Sequence, residues 1–234
     1  MKQPFTLCLD RTFPADAAPA ASIHVAVADV SALLSDADLL AQTTTTLSPQ
    51  RQAKAAAISN LRNRALSVGV ALLFDELLMR VGLRERNLIY IERTHGKPTV
   101  ANDGLTTSLA FNLSHSGHMV AAALCLTSDG TPAPALGIDV QHVTTYRPEL
   151  VRRVFSDADR QRLAAATTEA DRQYFFCRLW SRAEACAKAT GLGLQWPFPP
   201  PPAGSQLLDL DITADYCASL CVLPPIFPTA DHTD

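Results

Sequence analysis

A carboxylate and an ammonium group four residues apart, Glu184 and Lys188, lie in the run Trp180-Ser181-Arg182-Ala183-Glu184-Ala185-Cys186-Ala187-Lys188. The surrounding stretch, from Thr168 to Thr190, has the pattern of a helix. Side chains at i and i+4 share one helical face, so Trp180, Glu184 and Lys188 form a single stripe. Alone, such a pair is an ordinary surface ion pair. Three upstream segments shift the reading toward chemistry: Gly96-Lys97-Pro98, Phe111-Asn112-Leu113-Ser114-His115-Ser116 and Gly137-Ile138-Asp139-Val140. Asp139 and Gln141 are two apart on an expected strand and point to one face. A carboxylate there, facing a helix that offers Glu184, can hold Mg²⁺ through oxygen ligands, with water and substrate phosphates completing the shell. Ser114-His115-Ser116 reads as a loop whose hydroxyls and imidazole donate to phosphate oxygens. The same Ser-His pair does not suit nucleophilic catalysis, because sequence neighbours rarely attain that geometry. Lys97, held in a rigid turn before Pro98, suits a fixed point charge for a phosphate. Arg51, Lys54, Arg62 and Arg64 add a basic cluster of the kind that is usually a solvated face. Together these segments point to a metal-assisted reaction on a phosphate-rich cofactor.

The elements that must position these residues follow from periodicity and punctuation. Ile23 to Val27 reads as a strand, followed by a polar tract at Thr43-Thr44-Thr45-Thr46. Ser48-Pro49 is a helix start, with Ser at the N-cap and Pro at the first helical position. A first helix is expected over Gln50 to Ile58 and a second over Leu61 to Val81. In the second, Leu66, Val70, Leu73 and Leu77 form an apolar stripe and Gly82 is the stop. Leu88 to Arg93, Met119 to Leu126 and Ala135 to Val140 read as strands. Between the last two, the segment from Thr127 to Pro134 is a turn or linker. Pro148 opens a short helix, and Ser156 and Thr168 each precede an Asp by three residues, as capping boxes do. Gly191 and Gly193 close the long helix. Pro197 to Pro202 form a stiff connector, and Leu207 to Ile212 and Ala218 to Leu223 are a final strand pair.

The bulk properties bound the class. With 47% hydrophobic and 18% charged residues in 234, the chain has the profile of a globular protein with a real core. A net charge of −3 argues against a dedicated nucleic-acid binder. No segment approaches the roughly 20 apolar residues of a membrane span, and the start lacks the pattern of a secretory signal. The six cysteines form no C-x-x-C pair and no zinc spacing. A reducing, cytoplasmic setting is expected.

The four motifs, in this order, resemble those of the Sfp-type 4′-phosphopantetheinyl transferases. The resemblance is densest from Gly96 to Leu194, ends in Trp-x-x-x-Glu-Ala-x-x-Lys-Ala-x-Gly-x-Gly-Leu, and extends weakly back to Leu47-Ser48-Pro49. It implies Mg²⁺-dependent transfer (Mn²⁺ as a substitute) of the phosphopantetheine arm of coenzyme A to a serine of an apo acyl, peptidyl or aryl carrier protein, releasing adenosine 3′,5′-bisphosphate. By motif, Asp139 and Glu184 become metal ligands, with Gln141 a third position where many members have Glu. Glu184 becomes the base, directly or through a water, and Lys188 acts at the reaction centre. Lys97, Ser114 and His115 contact coenzyme A phosphates, with His115, Arg51 and Lys54 toward the 3′-phosphate and Arg64 a more loosely aligned member. The implied fold is α+β: a monomer built as a pseudo-dimer of two similar halves, 1–130 and 131–234, each a small antiparallel sheet packed with a long helix. That organisation agrees with the linker near residue 130 and with the repeated order of strand, helices and strands. Two other readings compete. One is a coenzyme A-binding homologue without turnover, kept open by Gln141. The other is an unrelated Mg²⁺-dependent phosphoesterase.

Overall fold

A computed structural model describes residues 2–15, 18–91, 99–100, 108–127 and 131–224. The elements run β1 (Thr6–Ala15), β2 (Ala18–Asp29), α1 (Ser31–Ser35), α2 (Ala37–Thr46), α3 (Pro49–Ala57), α4 (Leu61–Arg80), a 3-10 turn (Glu85–Asn87), β3 (Tyr90–Ile91), β4 (Thr99–Val100), β5 (Ser108–Ser116), β6 (Met119–Thr127), β7 (Leu136–His142), α5 (Pro148–Val154), α6 (Asp157–Ala164), α7 (Glu169–Thr190), β8 (Gln206–Thr213) and β9 (Tyr216–Val222). The chain is α+β, with antiparallel sheets in the orders β1-β2-β6-β5 and β7-β9-β8 and a small β3-β4 ladder.

Pleat alternation explains the layering. On β2 and β6, Ile23, Val25, Val27, Met119, Ala121, Ala123 and Cys125 point to one face. There they share a core with Leu136, Ile138, Val140, Ala218, Leu220 and Val222 of the second sheet. The intervening residues Ala26, Ala28, Val120, Ala122 and Leu124 meet Leu66, Leu73, Phe74 and Leu77 of α4. On the far side of the second sheet, Cys221 packs with Ala185, Cys186 and Ala189 of α7. The order is therefore helix, sheet, sheet, helix. This is why β6 and β9 read as unbroken apolar runs: both faces of each are covered.

Local signals account for the helix ends. Ser48 accepts from the Arg51 N–H at 3.3 Å with Pro49 at the first turn. Thr168 accepts from the Asp171 N–H at 3.0 Å, and Gly191 ends α7 in the left-handed region at φ 72°. Several expectations need revision. The Thr43–Thr46 tract is the end of α2, where the Thr44, Thr45 and Thr46 hydroxyls donate to the carbonyls of Leu40, Gln42 and Thr43. These bonds remove the usual competition between short polar side chains and the helix. Strand β1 has no counterpart in the sequence pattern; it pairs with β2 on one edge and is largely exposed, so its sequence lacks a clear apolar face. Ser114-His115-Ser116 is strand, not loop: the alternation of Asn112, Ser114 and Ser116 with Phe111, Leu113 and His115 is the period of β5. The strand expected over Leu88 to Arg93 is seen as Tyr90–Ile91; Arg93 lies outside the described residues.

Gly137 sets how closely α7 approaches β7. A Cβ there would lie 2.1 Å from the Ala185 carbonyl oxygen and 2.4 Å from the Ala189 nitrogen, both backbone atoms. Gly137→Ala must therefore displace the helix that carries Glu184 and Lys188. Urea titration should show a loss of about 1–3 kcal/mol, the scale of overpacking a core. An unchanged midpoint would mean that this contact does not hold α7 in place.

Candidate active site

The stripe predicted on α7 is present. The Trp180 Nε1–H donates to Glu184 Oε1 at 2.8 Å, and Lys188 Nζ stands 3.7 Å from Glu184 Oε2. Lys188 also reaches across to β7 and β5. Its ammonium donates to Asp139 Oδ1 at 2.6 Å, to Ser114 Oγ at 3.0 Å and to the Ile138 carbonyl at 3.2 Å. The Ser114 hydroxyl donates to Asp139 Oδ1 at 2.9 Å and accepts from the Val140 N–H at 3.3 Å. Asp139 is thus tied to both sheets and to α7, and its side chain is only 3% exposed. Its Oδ2 is buried with no hydrogen-bond partner. Burial lifts the Asp139 carboxyl to about 6 even though the Lys188 ammonium pulls it down, and the Glu184 charge pushes it further up.

Ser114, Glu184 and Lys188 open onto a cavity of about 690 Å³ that spans the seam between the sheets. Its other walls are Arg51, Lys54, Asn63, Ser67 and Val70 of α3 and α4, the β5 residues Phe111 to His115, and Gly191, Gly193 and Leu194 beyond α7. Lys54 is exposed. His115 is exposed. Its pKa nevertheless lies below the ordinary imidazole value, first because surrounding protein disfavours the charged form and second because of the Lys188 and Lys54 charges. Arg51 is almost fully buried. Its Nε donates to Glu85 Oε1 at 2.8 Å and its Nη2 to the Tyr90 hydroxyl at 3.0 Å. A second cavity of about 440 Å³ adjoins the first through Glu184 and is lined also by Gln141, Thr144, Arg147, Phe176 and Trp180.

The residues singled out from the sequence therefore have different fates. Arg51, Lys54, Ser114, His115, Glu184 and Lys188 line one cavity, with Asp139 directly behind Ser114 and Lys188. Gln141 lines the neighbouring space with Glu184. Arg64 is not among the lining residues; its Nε and Nη2 donate to the Ile58 carbonyl at 3.0 and 2.7 Å and fasten α4 to the end of α3. Arg62 similarly donates to the Gly117 carbonyl at 2.6 Å. Lys97 lies outside the described residues. Glu85 and Tyr90, which hold Arg51, carry no signal in the sequence, because no local pattern joins them to α3. Asn112 and Ser116, which accept from the Ile138 and His142 N–H groups at 2.9 and 3.0 Å, were legible in principle from strand alternation.

Comparison with known proteins bears on the same elements. Residues 135–221, from the start of β7 to β9, match the 4′-phosphopantetheinyl transferase superfamily model. The chain is 33% identical over 130 residues to the 4′-phosphopantetheinyl transferase psf-1 of Bacillus pumilus, covering 53% of this chain and 51% of that protein. It is 29% identical over 143 residues to 4′-phosphopantetheinyl transferase pptA of Paxillus involutus, covering 54% of each. To HetI of Nostoc, also named as a 4′-phosphopantetheinyl transferase, it is 28% identical over 133 residues, 56% of this chain and 53% of that one. The chain thus spans about half the length of the curated relatives it matches. The superfamily segment carries Asp139, Gln141, Glu184 and Lys188, whereas Arg51, Lys54, Ser114 and His115 come to it from elements that precede it.

The raised Asp139 pKa carries a sign. The folded state holds this proton up to about pH 6, whereas the unfolded chain loses it near the ordinary carboxyl value of 3.8. The proton thus stabilises the fold below that range, and the contribution is lost as pH rises through about 6. The stability of the native protein relative to Asp139→Asn should therefore fall between pH 4 and pH 6.5. The fall should reach at most about 3 kcal/mol, since moving a pKa by one is worth about 1.4 kcal/mol. Urea titrations of both proteins across that range measure it. A constant difference would mean that Asp139 titrates as an ordinary carboxylate.

Proposed function

We propose that the protein is a Mg²⁺-dependent 4′-phosphopantetheinyl transferase that uses coenzyme A as donor and the serine of an apo acyl, peptidyl or aryl carrier protein as acceptor. The observation that carries this reading is the Asp139–Lys188–Glu184 cluster beside a cavity that Glu184 and Lys188 line together with Arg51, Lys54 and His115. The half 1–130 supplies the phosphate-facing cations and the half 131–234 the carboxylates. The donor set suits a hard cation: the unpartnered Oδ2 of Asp139 and the Glu184 carboxylate are oxygen ligands, and Mg²⁺ commonly takes only one or two carboxylates before water and phosphate complete its shell. Among the described residues no group of three or more His, Cys, Asp or Glu side chains gathers as a metal site. This is consistent with Gln141, a neutral amide, standing where a further acid would complete one. Bound there, the ion would offset the negative charge of the pyrophosphate.

The chain's own residues divide the remaining work. Arg51, Lys54 and His115 bind phosphate oxygens and fix the donor. The carrier serine Oγ forms a bond to the β-phosphorus of coenzyme A while the bond from that phosphorus to the bridging oxygen breaks. The bridging oxygen leaves on adenosine 3′,5′-bisphosphate. Glu184, oriented by the Trp180 indole, takes the serine proton. Lys188 supplies positive charge to the departing oxygen. Incubation of an apo carrier with coenzyme A and Mg²⁺ should add one phosphopantetheine by intact mass, with no addition when the metal is withheld. Coenzyme A binding with every carrier unmodified would leave a binding protein instead. Glu184→Gln preserves shape and should lower the transfer rate at least about a hundredfold, the scale of a positioned general base. A near-native rate would remove Glu184 from the chemistry.

A further inference from the structure

Arg51 has a setting unlike that of the exposed Lys54, one turn later on α3. It is a buried cation on a cavity wall, and a group of side chains from a distant part of the chain fixes its plane. Glu85 accepts from Arg51 Nε at 2.8 Å. The Tyr90 hydroxyl accepts from Arg51 Nη2 at 3.0 Å and donates to the same Glu85 oxygen at 2.7 Å, closing a ring of three bonds. The Arg51 guanidinium carbon also lies 5.1 Å from the centre of the Tyr90 ring. Glu85 is itself anchored: its N–H donates to Asp75 Oδ1 at 2.8 Å, and the Ser48 hydroxyl that caps α3 is within hydrogen-bonding reach of its carboxylate. Burial pushes the Glu85 carboxyl up, but the Ser48, Tyr90 and Arg51 contacts outweigh it and hold the group ionised.

A guanidinium has five N–H donors in a rigid fork. Glu85 and Tyr90 engage two of them, at Nε and Nη2, and Arg51 lines the cavity together with Lys54 and His115. Three cationic or protonatable groups lining one cavity select a multiply charged anion such as a phosphate monoester. We propose that Glu85 and Tyr90 are positioning residues, which hold the Arg51 fork in the plane that binds a terminal phosphate monoester of the ligand. They touch no ligand themselves. They act by removing in advance the rotamer freedom that a long cationic side chain otherwise loses on binding. This rests on the coenzyme A reading above, in which that monoester is the 3′-phosphate.

The test compares affinities for coenzyme A and 3′-dephospho-coenzyme A by calorimetry on the full chain. The variants are Tyr90→Phe, Glu85→Gln and Arg51→Ala. The native protein should prefer coenzyme A by about tenfold or more, the worth of a charge-assisted phosphate contact. Arg51→Ala should remove most of that preference. Tyr90→Phe, which keeps the ring and loses both hydrogen bonds of the hydroxyl, should reduce it by about three- to tenfold. Its affinity for the dephosphorylated form should stay within about twofold of native. A merely structural role would lower thermal stability, or weaken both ligands alike, and leave the ratio unchanged. If Glu85→Gln does not fold, Tyr90→Phe carries the test alone. A native-like ratio in Tyr90→Phe, alongside loss of preference in Arg51→Ala, overturns the positioning role and leaves the coenzyme A reading standing. Absence of preference in the native protein overturns the assignment of Arg51 to the phosphate monoester and the positioning role with it, whereas the coenzyme A reading falls only if no carrier is modified.

Discussion

The two sheets are joined by side chains. β7 is an edge strand of its sheet and β5 an edge strand of the other. The N–H groups of Ile138, Val140 and His142 donate to Asn112 Oδ1, Ser114 Oγ and Ser116 Oγ. An unpaired edge invites association with another chain unless something covers it. Here every second residue of one strand caps every second N–H of the other, so the two pleats lie in register. The register has a consequence for chemistry. It fixes Asp139 between two capped residues, and it sets Ser114 where one hydroxyl serves the Val140 N–H, the Asp139 carboxylate and the Lys188 ammonium together.

Around that junction the protein tolerates an arrangement that costs stability. A carboxylate buried as deeply as Asp139 is unfavourable unless its charge is matched, and half of this one has no hydrogen-bond partner. An Asn at the same place would avoid the charge. It would also take from the Lys188 ammonium the carboxylate that it meets at 2.6 Å. The helix opposite is correspondingly restrained. Arg178 and Arg182, one turn apart on α7, both pair with Asp209 of β8, where Ser219 also donates at 3.3 Å. The Arg182 fork meets both Asp209 oxygens, at 2.8 and 2.6 Å. Burial raises the Asp209 carboxyl, but the two guanidinium groups outweigh it and keep it below the usual range. These bonds resist rotation of α7 about its axis, and the rotational setting decides whether Glu184 and Lys188 face Asp139.

What can be read from the sequence is what local periodicity encodes. Glu184, Lys188 and Trp180 fall on one stripe because helical spacing dictates it, and Ser48, Thr168 and Gly191 mark helix ends through local hydrogen bonding and backbone freedom. Ser114 reads as part of a phosphate-binding loop because its polar neighbours outweigh the alternation that makes Phe111 to Ser116 a strand. As a strand residue its hydroxyl turns toward β7. Arg64 looks like a member of a basic cluster, but a guanidinium near a helix end also finds the last carbonyls of the preceding helix, and Ile58 takes it. The burial of Arg51 is beyond reach, because its partners are 34 and 39 residues away and the 3-10 turn that delivers Glu85 carries no motif.

Charge is distributed across the cavity in a way that constrains any ligand. The cationic groups Arg51 and Lys54 come from α3, His115 from β5, and the carboxylates of Asp139 and Glu184 from β7 and α7. A simple phosphate at the cationic wall gains nothing from the acidic one, and a lone cation between Asp139 and Glu184 gains nothing from Lys54. Only a ligand long enough to reach both, anionic along its length and accompanied by a cation at one end, uses the whole surface. Ser114 and His115 come from β5 and Asp139 from β7, so these residues stay together only while the two strands remain joined. The short ladder of Asn112, Ser114 and Ser116 thus aligns the charged residues across the seam.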